Sequence, residues 1–150
     1  MNFPNSIIEL SIPSRIGYEK IAMATAGSIA RTMGFSVDRI EDLGTAVAEA
    51  CINAIEHGNK GQEKQKVFLL MKADPEKLEV SVTDSGRLSE TPKVGRPSIE
   101  EKIKPGVEKR GWGMFLIKNL VDEMDMNIQP GNGLKLRMVI YMKKQGQNGQ

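Results

Sequence analysis

The spacing of apolar residues predicts two different elements in the first part of the chain. Apolar and polar positions alternate up to Pro13, which is typical of a short strand at the edge of a sheet. The apolar positions of this strand are Ile8, Leu10 and Ile12. Between residues 18 and 33 the apolar positions recur every three or four residues, which predicts a helix. Ser14 is placed to cap the start of this helix, and Gly34 is placed to end it in a left-handed turn.

A second helical pattern follows Ser36, whose hydroxyl can cap it, and Asp38 lies in the first turn, where a negative charge suits the helix dipole. The apolar stripe of this helix is Leu43, Val47, Ala50 and Ala54. Away from the stripe, residues spaced by four form a ladder of a carboxylate, a carboxamide and an imidazole: Glu49, Asn53 and His57. The ladder could hold a metal ion and accept a proton, or it could be the solvated face of an amphipathic helix.

The period of the apolar pattern changes to two between residues 66 and 84. Residues 67–71 form a nearly continuous apolar run, as expected for a central strand, and residues 74–77 predict a turn. Asp84 is the next position in phase with the apolar set of the following strand, which is Leu78, Val80 and Val82. A buried carboxylate is costly unless it is satisfied. The position therefore predicts a helix cap, a salt bridge, or a ligand donor such as the amino group of a purine base.

A long segment rich in proline, glycine and charge spans residues 85–110 and predicts either a functional loop, such as a lid, or a disordered segment. It ends in Lys109, Arg110, Gly111 and Gly113, and a helical pattern then follows through Met114, Ile117, Val121 and Met124. Glycines at a helix start let the backbone approach a ligand, and the free N–H groups there favour phosphate. An ordinary loop-to-helix junction would give the same pattern.

The remaining residues predict two strands, at 126–128 and 134–142, joined by a turn at 130–133 and followed by a polar tail at 144–150. No repeat or second domain is evident, so residues 1–150 predict a single domain. The order of elements predicts an α+β fold, an α/β two-layer sandwich in which a mixed, mostly antiparallel sheet has about three helices on one face. The strict strand–helix alternation of a dinucleotide-binding fold is absent.

The composition is that of an ordinary soluble domain: 150 residues, of which 39% are hydrophobic and 27% charged. A net charge of +2 is too small to indicate nucleic-acid binding, and no apolar run approaches the roughly 20 residues of a membrane span. The N-terminus lacks the pattern of a secretory signal. The single cysteine, Cys51, fits a reducing cytoplasm and a small core side chain. His57 is the only histidine and has no partners for a site of the zinc type.

Five segments stand in the order found in a known ATP-binding fold: IEDL at 40–43, EACINAIEHG at 49–58, VSVTDSG at 80–86, GWGMFLI at 111–117 and LVDEM at 120–124. Together they resemble the histidine-kinase-like fold (GHKL superfamily) that DNA gyrase, heat-shock chaperone ATPases, histidine kinases and MutL share. Within this superfamily the chain looks most like the bacterial anti-sigma factor serine/threonine kinases. The resemblance covers almost the whole chain.

The resemblance implies that the cofactors are ATP and Mg²⁺. By this resemblance, Glu49 is the general base that takes a proton from a substrate hydroxyl, and Asn53 holds Mg²⁺ against the ATP phosphates. Asp84 accepts a hydrogen bond from the adenine amino group, and Gly86 lets the base lie close to the backbone. His57 belongs to the same segment as Glu49 and braces the end of the helix.

Further roles implied by the resemblance concern the phosphates. Residues 87–110 would form the lid, and Lys109 or Arg110 could reach a phosphate. Backbone N–H groups would bind phosphate at Gly111, Trp112, Gly113 and Met114. Two positions depart from the wider superfamily. The Asp-x-Gly-x-Gly pattern lacks its second glycine, and Leu134 stands where a hydroxyl often supports adenine recognition, a role that Thr83 could take over.

The implied function is that of a bacterial anti-sigma factor with protein serine kinase activity. It would phosphorylate an anti-anti-sigma (antagonist) protein on Ser or Thr, sequester a sigma factor and form a homodimer, without contacting nucleic acid or membrane. The main alternative is a non-catalytic ATP-binding switch that binds protein partners. A third hypothesis is an isolated ATPase subunit of a histidine-kinase pathway. The carboxylate of Glu49 favours the kinase, because nucleotide binding alone does not need a base at that position.

Overall fold

The computed structural model describes residues 4–86, 94, 107–131 and 133–143. Its elements in chain order are β1 (Ser6–Pro13), α1 (Glu19–Met33), α2 (Val37–Asn53), a π-helical turn (Ala54–Gly58), β2 (Lys66–Ala73), β3 (Lys77–Thr83), α3 (Val107–Leu120), β4 (Glu123–Ile128) and β5 (Leu134–Tyr141). Of the predicted lid at 87–110, only residue 94 and the first turn of α3 are described. The predicted tail at 144–150 lies outside the described residues.

The sheet contains five described strands in the order β1-β2-β3-β5-β4. Each of its pairings is antiparallel, so the described strands form an antiparallel sheet where the sequence predicted a mixed, mostly antiparallel one. The predicted α+β fold is confirmed, and β1 lies at the sheet edge as predicted. The second edge is β4, because β5 lies between it and β3.

The core lies between one face of the sheet and the helices, with α2 packed between α1 and α3. Alternate residues of each strand point into it, as the period of two predicted. The residues of the three inner strands that belong to this core are Val67, Leu69, Met71, Ala73, Leu78, Val80, Val82, Leu134, Leu136, Met138 and Ile140. This arrangement places the end of α2, the end of β3 and the start of β5 close together, and the site is built there.

Two of the three predicted helix-end signals are confirmed. Gly34 ends α1 with a φ of 99°, and its N–H donates to the carbonyl groups of Ala30 and Arg31. The Ser36 hydroxyl caps α2 by accepting from the N–H of Arg39 at 3.3 Å. Ser14 does not cap α1, because its buried hydroxyl donates to the Gln65 carbonyl instead and α1 begins one turn later.

The bounds of α3 differ from the prediction at both ends. The helix was expected to begin at the glycines near residue 111 and to run to Met124, whereas it spans Val107–Leu120. At its start, residues 107–110 add a helical turn before the glycines. At its end, Met124 pairs with Met138 in the sheet, so hydrogen bonding to β5 takes this residue out of the helix. Met114, Ile117 and Val121 are buried as predicted.

Candidate functional site

The C-terminal end of α2 changes from an α-helical to a π-helical turn. The N–H of Asn59 donates to the carbonyl of Ala54 at 2.8 Å, which is the wider spacing of a π turn. The four-residue ladder therefore holds from Glu49 to Asn53, and His57 follows in the wider turn. Asn53 is 3% exposed, while Glu49 and His57 are half-buried. The solvated-face alternative is thus wrong for Asn53.

Helix α3 lies directly on the ladder of α2. A Cβ atom added to Gly113 would stand 2.5 Å from Glu49 Oε1 and 2.6 Å from Asn53 Nδ2, closer than real Cβ atoms come to other atoms. Only a glycine fits here, because any side chain would displace the carboxylate and the amide. The structure therefore brings together three residues that the sequence predicted in one site.

Asn53 carries a buried polar group that the described residues leave unsatisfied. Its Nδ2 atom has no hydrogen-bond partner among them, although such a group costs free energy when buried alone. The Oδ1 atom of the same carboxamide would stand 3.2 Å from a Cβ atom on Gly113, so the oxygen also faces this contact with α3. A protein usually supplies one or two oxygen ligands to Mg²⁺, and phosphate and water supply the others. Asn53 beside the Glu49 carboxylate fits that donor set.

The described residues contain no group of three or more His, Cys, Asp or Glu side chains that could hold a metal ion.

Asp84 is buried, as its phase in β3 predicted, and it is 4% exposed. Its Oδ1 accepts from the N–H groups of Gly86 at 2.8 Å and Leu134 at 3.2 Å. The Nη2 atom of Arg110 lies 3.9 Å from Oδ2, so a salt bridge accompanies these two bonds. One carboxylate oxygen is thus fixed by the backbone, and the other faces the guanidinium group of Arg110.

Three glycines from separate segments enclose Asp84. A Cβ atom on Gly58 would overlap the Asp84 carboxylate, and one on Gly133 would overlap the Asp84 carbonyl oxygen. A Cβ atom on Gly86 would stand 2.5 Å from the carbonyl oxygen of Gly58. The sequence interpretation included Gly86 but missed Gly58 and Gly133, because these close approaches arise only when the three segments meet. The prediction that the Thr83 hydroxyl replaces the one absent at Leu134 is wrong, since Thr83 lies on the sheet face away from the helices.

Arg110 is buried against this carboxylate rather than exposed. Its Nε and Nη2 atoms have no hydrogen-bond partner among the described residues. Burial lowers the pKa of Arg110, and the nearby negative charge of Asp84 partly offsets that effect. The prediction that Arg110 reaches a phosphate concerns another arrangement of the side chain, because in this structure it lies beside Asp84.

The predicted helix start at Gly111 is wrong in this structure. The N–H groups that a helix leaves unbonded end with its third helical residue, which in α3 is residue 109. The N–H groups of residues 111–114 therefore lie inside the helix: Gly111, Trp112, Gly113 and Met114. Phosphate binding by these groups requires the first turn of α3 to open. Met114 is in addition a core residue, with 1% of its surface exposed.

A cleft of about 410 Å³ opens beside Glu49. It is lined by Glu49, Trp112, Gly113, Phe115, Leu116 and Asn119. The Trp112 ring meets the Phe115 ring edge to face at 6.4 Å and is 43% exposed. The sequence interpretation gave Trp112 only a backbone role and did not include Phe115, Leu116 or Asn119. The available signal was the four-residue spacing of Trp112 and Leu116 outside the buried stripe of α3.

Comparison with known proteins identifies the class to which this fold and site belong. Residues 12–140 match the family model described as the histidine kinase-like ATPase domain. A crystal structure of the RsbU and RsbW domains of Rv1364c from Mycobacterium tuberculosis has the same fold, with a TM-score of 0.64 over 90% of this chain and 17% identity. The chain spans 32% of that longer chain.

Relatives in sequence narrow the assignment. A serine-protein kinase RsbW from Oceanobacillus iheyensis is 32% identical over 127 residues, covering 83% of this chain and 80% of the relative. Serine-protein kinases RsbW from Bacillus cereus (strain Q1) and Bacillus licheniformis are each 30% identical, covering 92% of this chain and 86% and 87% of the relatives. The chain therefore belongs to the histidine kinase-like ATPases and, among these, to the RsbW family of protein serine kinases, which confirms the resemblance drawn from its motifs.

Within the described residues, no helix combines the length and the apolar content that a membrane crossing would need.

Proposed function

We propose that this protein is an anti-sigma factor with ATP- and Mg²⁺-dependent serine kinase activity, and that its substrate is an anti-anti-sigma protein. The observation that carries the proposal is the contact of Gly113 with both Glu49 and Asn53. It brings a candidate base, a candidate metal ligand and a glycine-bearing helix to one point, beside an open cleft. Membership of the RsbW family of protein serine kinases supports the same reaction class.

Each residue has a specific task in this proposal. ATP supplies the transferred phosphoryl group, and Mg²⁺ neutralises charge on its phosphates. Asn53 holds the cation, Asp84 accepts from the adenine amino group through Oδ2, and Gly86 leaves room for the base. Arg110 turns from Asp84 towards the phosphates when the first turn of α3 opens, which also exposes the N–H groups of residues 111–114. His57 braces the π turn.

Glu49 acts on the acceptor hydroxyl. The hydroxyl oxygen of the substrate serine or threonine forms the new bond to the γ-phosphorus, and its proton passes to the Glu49 carboxylate. The bond from the γ-phosphorus to the bridging oxygen breaks, and ADP leaves with that oxygen. Glu49 lines the open cleft as well as contacting Gly113, so an acceptor segment in the cleft would reach the carboxylate from the side away from Asp84.

Protein partners follow from the same proposal. The chain binds a sigma factor and an antagonist protein as a cytoplasmic homodimer, and the bound nucleotide biases the choice between the two partners. Such a bias requires different affinities in the different nucleotide states, which an opening of α3 and of the proposed lid at 87–110 would provide. Residues 1–150 act as one domain.

A phosphotransfer assay with radiolabelled ATP and the antagonist protein encoded nearby tests the proposal. We expect Glu49→Gln to reduce transfer by about 100-fold or more, because it removes the base. ATP affinity should stay within about threefold of wild type, because Glu49 is not proposed to bind the nucleotide itself. Transfer by Glu49→Gln at the wild-type rate would show that Glu49 is not the base.

Asp84→Asn is the matched variant at the other end of the site. It keeps the size of the side chain but replaces a charged acceptor, so we expect ATP affinity to fall about tenfold or more. Unchanged affinity would exclude Asp84 from base recognition. A wild-type protein that binds ATP but transfers no phosphate to its antagonist would favour the non-catalytic switch.

A further inference from the structure

A buried carboxamide next to the site makes three hydrogen bonds. Asn59 follows Gly58 and is 4% exposed. Its Nδ2 donates to Ser14 Oγ at 2.7 Å and to the Lys66 carbonyl at 3.0 Å. Its Oδ1 accepts from the Ser85 N–H at 2.7 Å. One side chain therefore joins the end of β1, the start of β2 and the turn that follows β3.

The position of Ser85 gives this network its importance, because Ser85 stands between Asp84 and Gly86. The Gly86 N–H holds Asp84 Oδ1 at 2.8 Å, so the turn and the carboxylate are fixed relative to each other. Asn59 in turn fixes the turn relative to the end of α2, where Gly58 packs on the Asp84 carboxylate. The direction of the remaining oxygen, Oδ2, depends on both attachments.

Ser14 forms the outer part of the same network. Its hydroxyl accepts from Asn59 and donates to the Gln65 carbonyl at 2.7 Å. It is buried but has no contact with the turn at Ser85 among its described hydrogen bonds. The network thus separates into a part that touches the site, through Asn59 Oδ1, and a part that only supports the fold, through Ser14.

We propose that Asn59 is a positioning residue that sets the preference for adenine over guanine. The inference rests on the proposed function, because it assumes that Asp84 accepts from the amino group of adenine. Guanine carries a carbonyl oxygen at the corresponding ring position, and a correctly placed carboxylate repels it. A site built to pair with one group rejects an analogue that lacks the group, provided that its own acceptor is held in place. Loosening the turn at Ser85 should therefore reduce the preference for ATP over GTP in a protein that still folds.

Affinities for ATP and GTP, measured by calorimetry with Mg²⁺, test the proposal. We expect Asn59→Ala to lower the GTP-to-ATP ratio of dissociation constants by about tenfold, because the turn loses a buried hydrogen bond. Ser14→Ala is the control: it breaks the same network on the β1 side and should lower the melting temperature, but it should keep the ratio within about twofold of wild type. Circular dichroism melts identify the temperature at which every variant is folded.

Asn59→Asp provides a second test that does not depend on Asn59→Ala being folded. The aspartate retains an oxygen that can accept from the Ser85 N–H and loses the donation to the Lys66 carbonyl. We expect it to be less stable than wild type and to keep the ATP preference. Loss of the preference in Asn59→Asp, or its retention in a folded Asn59→Ala, would overturn the proposal.

The outcomes separate this inference from the proposed function. A wild type that binds neither nucleotide contradicts the proposed function itself. A wild type that binds ATP and GTP equally contradicts both the adenine contact of Asp84 and the role of Asn59. A Ser14→Ala variant that loses the preference as fully as Asn59→Ala contradicts the role of Asn59 alone.

Discussion

At the scale of single residues, Cys51 shows how burial controls the chemistry of a side chain. The thiol is fully buried in α2. Burial raises its pKa from 9.0 to about 12, and the negative charge of Glu19 adds to the effect. The thiolate is the reactive form of cysteine, so this residue is an inert part of the core, as the sequence predicted.

The raised pKa of Cys51 predicts a loss of stability at high pH. In the unfolded chain the thiol ionises at its ordinary pKa, whereas in the folded protein it stays protonated up to about pH 12. Its contribution to the free energy of unfolding is therefore fully present below pH 9.0 and is lost as the pH rises towards 12. The loss is about 1.4 kcal/mol for each pH unit in this interval.

Denaturant unfolding of wild type and Cys51→Ala between pH 8 and 11 isolates this contribution. The variant lacks the thiol, while the other groups that titrate in this range remain in both proteins. We expect the stability advantage of wild type to shrink above the pKa of 9.0. An advantage that is constant over the whole range would mean that water reaches Cys51 in the folded protein.

For single residues, the sequence predicted which side chains are buried but did not predict their hydrogen-bond partners. The phase of β3 predicted that Asp84 is buried. The partners that satisfy it could not be read from the sequence, because one of them, the N–H of Leu134, is 50 positions away. The same limit explains why Gly58 and Asn59 were missed. Gly58 appeared only as the last residue of the segment at 49–58, and Asn59 follows it. Their neighbours are supplied by β1, β2 and the turn after β3.

At the scale of elements, the packing of α3 on α2 depends on the absence of a side chain at Gly113. Gly113→Ala would place a methyl group between Glu49 and Asn53, so the two helices must separate or the two side chains must shift. We expect phosphate transfer to fall about tenfold to 100-fold, because small misplacements of reacting groups have effects of this size. The initial rate of transfer at saturating ATP and antagonist protein measures the effect.

Gly27→Ala in α1 is the matched control. The nearest atom to the added methyl group would be Ile40 Cγ2 at 3.8 Å, an ordinary contact. Removing a glycine from a helix interior should raise the free energy of unfolding by about 0.5–1 kcal/mol, and transfer should be unchanged. If Gly113→Ala also transferred phosphate at the wild-type rate, the contact between α3 and Glu49 would not belong to the active arrangement.

Elements were predictable in kind and less so at their ends. The spacing of apolar residues identified the helices and strands, and the buried face of α3 was assigned correctly. The start of α3 was not, because two glycines close to a loop indicate a helix start by propensity alone. Here the turn at 107–110 forms together with the burial of Arg110 beside Asp84. The π turn after Asn53 has no sequence signal in the pattern of apolar residues, which stays regular through Ala54.

At the scale of the whole molecule, the order of the strands could not be read from their periods. The hairpins β2–β3 and β4–β5 follow from short connections, and their pairing is antiparallel as expected. The strand beside β3 is β5 and not β4, and tertiary packing rather than local sequence decides this. It matters for function, because only this order sets the start of β5 beside the end of β3 and brings the Leu134 N–H to Asp84.

The same arrangement couples stability to nucleotide binding across the molecule. Arg110 is buried, and its Nη2 atom lies 3.9 Å from the buried Asp84 carboxylate. Removing one partner of a buried ion pair leaves the other charge uncompensated. We therefore expect Arg110→Met to lower the melting temperature of the nucleotide-free protein by about 2–8 °C.

Mg²⁺-ATP should raise the melting temperature of wild type by mass action, because it binds the folded state. The rise should be smaller in Arg110→Met, since the variant lacks the cation proposed to reach a phosphate, and scanning fluorimetry with and without nucleotide measures both effects. Lys118→Met is the control, as it removes the same charge from an exposed position of α3 and should change neither value. A larger nucleotide-induced rise in Arg110→Met would mean that Arg110 competes with adenine for Asp84 and does not bind phosphate.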